Sequence, residues 1–102
     1  MATRQERMAL LSRYQKLHTA HYQEKPSLNL NTEQWAADML IESYGLPMCY
    51  DILHYYFEAS QRPTWKYFAN YADRVIEAKD RVERDKKERA ELRKKAKAWV
   101  NE

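Results

Sequence analysis

His18 and His21 stand three residues apart, and the carboxylates of Asp38 with Glu42 and of Asp73 with Glu77 stand four apart. On a helix such spacings bring two side chains to a common face, where paired imidazoles can share zinc and paired carboxylates can hold a hard cation. Neither set is complete. His54 is the one further imidazole, and no Glu-x-x-His pattern accompanies the carboxylates as a di-iron site would require. Cys49 is the single cysteine, which excludes an intrachain disulfide and a thiolate zinc site. Gly45 is the single glycine, so a phosphate-cradling loop, a dinucleotide fingerprint and a nucleophile elbow are all excluded. The expectation is therefore a protein with no catalytic residues, no metal and no cofactor. Its histidines should lie at the edges of apolar faces, its paired carboxylates on polar faces, and Cys49 in the core as a small hydrophobe.

The remaining chemistry is charge. The net charge of +3 divides unevenly: residues 79–97 hold ten Lys or Arg against five Asp or Glu, and the rest of the chain holds eight against ten. A mildly acidic head thus carries a basic tail. Lys66, Arg74, Arg81, Arg84, Lys87, Arg93, Lys94, Lys95 and Lys97 are candidate contacts to nucleic-acid phosphates, with Trp99 available to stack on an unpaired base. Interspersed acids dilute that field, so contact should be non-specific and steeply salt dependent. They also form acid-to-base pairs four apart, at Glu77/Arg81, Asp80/Arg84, Glu83/Lys87, Asp85/Arg89 and Glu91/Lys95, which support a solvated helix. Leu92, Ala96, Trp99 and Val100 make a second candidate surface, an apolar stripe for a protein partner or a second copy of the chain.

Helices must position these groups. Apolar residues recur at three- and four-residue steps from Met8 through Leu11, Tyr14, Leu17 and Tyr22, which predicts a first helix over about 3–23. Asn31 or Thr32 can cap a second helix, with Trp35, Met39, Leu40 and Ser43 or Tyr44 on its inner side and Gly45 leaving it left-handed. Pro47 opens a third, faced by Cys49, Ile52, Leu53, Tyr56 and Phe57 and ending near Gln61. Pro63 and Thr64 open a fourth, with Trp65, Phe68, Ala69, Ala72, Val75, Ile76 and Val82 in one stripe. The hairpin about Gly45 superficially matches a helix-turn-helix, but its second helix offers no Arg or Lys before Arg62 with which to read bases.

These elements predict an all-α fold: a compact bundle of about four helices, the last extended as a charged stalk. The aromatic head spans residues 1–78 and the basic extension 79–102. No stretch approaches the length of a membrane span and the N-terminus lacks the apolar run of a signal peptide, so the expected location is the cytoplasm. The segments Cys49–Phe57 and Pro63–Asp73 resemble a recurring piece of small helical proteins of bacteriophages and mobile elements, similar to C-terminal modules of phage replication accessory proteins. The resemblance covers roughly residues 35–76 and is mostly aromatic core. It implies a non-enzymatic accessory factor bound to replication or transcription machinery, with nucleic acid touched through the basic helix. A protein-binding adaptor or inhibitor without nucleic-acid contact is the alternative, and a homodimer is compatible with either.

Overall fold

In the structure, a computed structural model that describes residues 2–100 with only the backbone of Val100, the chain forms four helices. They are α1 (Arg4–Tyr22), α2 (Leu30–Tyr44), α3 (Leu46–Ala59) and α4 (Trp65–Val100), and no strand occurs among the described residues. The all-α expectation holds. The predicted positions Asn101 and Glu102 of the extension lie outside the described residues.

Each boundary has a local cause. Thr3 and Glu6 close a capping box at α1, each side chain bonding the other's backbone N–H at 3.1 Å. The cap of α2 is Asn29, whose Oδ1 accepts from Asn31 N–H at 3.1 Å and from Thr32 N–H at 3.4 Å, so the helix begins earlier than Asn31 or Thr32 would start it. Gly45, between the two helices, is at once the C-cap of α2 and the N-cap of α3, with φ 81° and ψ 151°. That combination belongs almost wholly to glycine. It is a more extended turn than the left-handed helical ending expected, and it lets Leu46 begin α3 directly, which then ends at Ala59 before Ser60.

The core joins Leu10, Leu11 and Tyr14 of α1, Ala37, Leu40 and Ile41 of α2, the five predicted residues of α3, and Trp65, Phe68, Ala72 and Val75 of α4. The predicted inner face of α2 is corrected: Trp35 is 77% exposed and Met39 57% exposed. Ala37 lies two residues from Trp35, about 200° around the helix, so both cannot face inward. The smaller residue lets α2 approach its neighbours closely. Val82 is also outside the core, at 39% exposure.

Along α4 the backbone departs from helical values once, at Tyr71 (φ −129°, ψ 31°). Burial then fades: Lys79 is half-buried and every residue from Asp80 through Trp99 is exposed. At about 1.5 Å per residue this bare section extends roughly 30 Å, which accounts for the 63 Å longest dimension of the molecule.

Candidate nucleic-acid interface

The cations of the bare helix are not spread evenly around it. Successive residues turn by about 100°, and on that basis Lys86, Lys87, Arg89, Arg93, Lys94 and Lys97 share one broad side that carries no acid from residue 84 onward. Asp85, Glu88 and Glu91 occupy the other side, together with Arg84 and Lys95. Arg81 points to that side as well, which places three of the predicted contacts among carboxylates. Lys66 and Arg74 are exposed but lie back beside the head. Of the nine candidate contacts, Lys87, Arg93, Lys94 and Lys97 share the cationic side, and Lys95 is separated from the Arg93–Lys97 cluster it was placed in. Lys86 and Arg89 complete the cationic side and were missed, because counting charges along the chain ignores the helical turn that sorts them by sign.

The expected support from paired charges is different in detail. None of the five predicted acid-to-base pairs closes among the described residues. The bare helix instead holds Lys79 Nζ to Glu83 Oε1 at 3.2 Å, in the reverse order. Solvated long side chains gain little from such pairing.

The cationic side continues the azimuth of Ala72 and Val75, which are buried just beyond Tyr71. One helical face is therefore core in its first half and cationic in its second. The apolar candidates Leu92 (65% exposed), Ala96 and Trp99 (83% exposed) follow each other at four- and three-residue steps on a different side, next to Glu88 and Lys95. Trp99 thus points away from the cationic side it was expected to assist. The side chain of Val100 lies outside the described residues.

The three histidines and Cys49 are each engaged separately, and Asp38 accepts from the Ala2 N–H at 2.8 Å. His18 Nδ1 donates to the Glu24 carbonyl at 2.9 Å and His21 Nε2 to the Gln61 carbonyl at 3.0 Å, while Arg13 donates to His54 Nε2 at 3.3 Å. Carbonyls only accept and guanidinium only donates, which sets the role of each of these ring nitrogens. No group of three or more His, Cys, Asp or Glu that could hold a metal occurs among the described residues. Cys49 is fully buried, its Sγ donating to the Leu40 carbonyl at 3.4 Å, and burial pushes its thiol up to about 11. It is protonated at neutral pH and is no nucleophile.

A second surface lies on the head. Trp35 and Met39, turned outward from α2, line a groove of about 340 Å³ against Tyr44, Ala69 and Asp73. The outward turn of α2 was not foreseen, and the four-residue spacing of Trp35 and Met39 was its only signal. No helix among the described residues is long and apolar enough to cross a membrane. Neither a family model, nor a curated protein sequence, nor a solved structure matches this chain.

Proposed function

We propose that the protein is a non-enzymatic accessory factor of a nucleic-acid-processing complex, encoded by a phage or mobile element, that lays the cationic side of α4 along a phosphodiester backbone. The observation that carries this reading is the side formed by Lys86, Lys87, Arg89, Arg93, Lys94 and Lys97, acid-free from residue 84 onward, on the stretch of α4 from Asp80 through Trp99 in which every residue is exposed. Its role is recruitment or modulation in the cytoplasm, with no bond made or broken and no cofactor. Affinity for nucleic acid should fall steeply with salt, by roughly 0.7 to 0.9 log units per log unit of salt for each phosphate neutralised. Joint replacement of Lys86, Arg89, Arg93 and Lys97 by Gln should remove most of that slope. Equal replacement of Arg81, Arg84 and Lys95 should change it less. Absence of binding at low salt, or equal effects of the two sets, would discard the reading.

The protein-binding adaptor is kept as the second reading because of the Trp35 and Met39 groove, an exposed apolar patch of the kind that marks protein contacts. Unchanged capture of the partner complex by Trp35→Ala and by Trp99→Ala would count against it.

A further inference from the structure

Above the stalk, three tyrosines and an arginine stand in file. Tyr56 stacks on Tyr67 with ring centroids 5.6 Å apart and planes 19° from parallel. Tyr67 meets Tyr71 at 4.9 Å, and the Arg74 guanidinium lies 5.0 Å over the Tyr71 ring. The inner end is buried in the core at Tyr56, whereas Tyr67 and Tyr71 are 41% and 40% exposed. Beside the file runs a groove of about 280 Å³, lined by Tyr55, Tyr56, Tyr67, Ser60, Arg74 and Val75 among others, with no acidic residue in its lining.

The outer part of this file has no packing duty that explains it. Tyr67 covers Tyr56, but the ring contacts of Tyr71 are Tyr67 and Arg74 alone among the described residues. Its position is also set apart by the backbone, since Tyr71 is the one non-helical residue inside α4. An aromatic ring and a guanidinium plane are the two side-chain surfaces on which nucleobases stack. Beyond the break at Tyr71 the helix leads from the file toward the edge of the cationic side: Arg74, Ala78, Val82, Arg89 and Arg93 follow one another at four- and seven-residue steps, with Glu77 and Asp85 beside that line, and Arg89 lies roughly 22 Å along the axis from Arg74.

Resting on the proposed contact between α4 and a phosphodiester backbone, we propose that the Tyr67–Tyr71–Arg74 file takes an unpaired nucleobase, so that the nucleic acid carried by α4 is single-stranded. The base stacks on the outer end of the file, either upon the Arg74 plane or in its place on Tyr71, and the adjoining strand runs toward Arg89 and Arg93. A duplex keeps its bases stacked inside and offers the file nothing but its backbone.

The test is fluorescence anisotropy of the full chain with a labelled oligothymidine of about twenty nucleotides and a duplex of equal length, at low salt. The wild-type protein should prefer the strand. Tyr71→Ala should weaken strand binding by about ten- to a hundredfold, the effect of losing one stacked base, and leave duplex binding unchanged, while Tyr71→Phe retains strand affinity. Replacing Lys86, Arg89, Arg93 and Lys97 should weaken both. Wild-type strand affinity in a folded Tyr71→Ala protein, or preference for duplex, overturns the stacking proposal and leaves the phosphate contact standing. Binding of neither probe overturns both. Photocrosslinking of an iodouracil-substituted strand to the wild-type protein decides the matter without a variant: adducts on Tyr67 or Tyr71 support the platform, and adducts confined to residues 79–99 overturn it.

Discussion

The phenol oxygen of Tyr14 accepts the backbone N–H of Trp65 at 3.1 Å, across 51 residues of chain. The same ring meets the Trp65 indole edge-on at 5.4 Å and Phe57 at 5.7 Å. On its other side, Trp65 Nε1 donates to Glu33 Oε2 at 2.6 Å, and the Tyr56 hydroxyl accepts from Thr64 N–H at 3.0 Å. The first turn of α4 is therefore held by α1, α2 and α3 together. Because the stalk is the continuation of that helix, these bonds also aim the cationic side.

Tyr14→Phe removes the acceptor and leaves the Trp65 N–H buried without a partner. The expected loss is about 1–3 kcal/mol, the cost of one unsatisfied buried donor, measured by urea unfolding. A change below the scatter of the method would show that another acceptor replaces the phenol.

Gly45→Ala should destabilise the protein by about 1–3 kcal/mol, because an L side chain is strained at this backbone conformation. Crowding has no part in it, since a Cβ there meets nothing within 4 Å. Gly45→Ala and Gly45→Val should accordingly both be destabilised in thermal unfolding. Wild-type stability in Gly45→Ala would mean that the joint between α2 and α3 relaxes to negative φ.

Stability should fall as pH rises above about 9. The Cys49 thiol loses its proton near 9.0 in an unfolded chain and at about 11 when buried, so between those values the unfolded state binds fewer protons and is favoured. Stability from this group is complete below the lower value and is lost progressively toward the upper. Tyr14, whose phenol burial also raises, contributes in the same direction. Urea unfolding at neutral and alkaline pH should show a smaller alkaline loss for Cys49→Ala than for wild type.

Ala90→Pro should break the bare helix and spare the head. Far-UV circular dichroism should lose helical signal, since proline in a helix interior costs about 3 kcal/mol or more. The near-UV aromatic signal and the urea midpoint should stay at wild-type values, because the residues around position 90 pack against nothing. A shifted midpoint would reveal coupling between stalk and head.

The apolar face of α3 was fully legible, because Cys49, Ile52, Leu53, Tyr56 and Phe57 form the one apolar stripe that helix has. α2 carries two competing stripes, and hydrophobicity favours Trp35 and Met39 over Ala37. Close approach to α1 and α3 decides the other way, and that depends on partners remote in sequence. The bend at Tyr71 had no signal, since neither Pro nor Gly marks it. The basic extension was evident from composition. Its usable side was not, because Lys86 and Arg89 become neighbours of Arg93 and Lys97 only after the helical turn is applied.

That core and cations lie on one azimuth of α4 makes the stalk a protractor. Each residue added or removed between Ala72 and Lys86 would rotate the cationic side about 100° relative to the head, with both parts intact. The dial is set by chain length in this interval, so a one-residue insertion at Ala78 would turn the charges away from the tyrosine file, and seven residues would bring them nearly back.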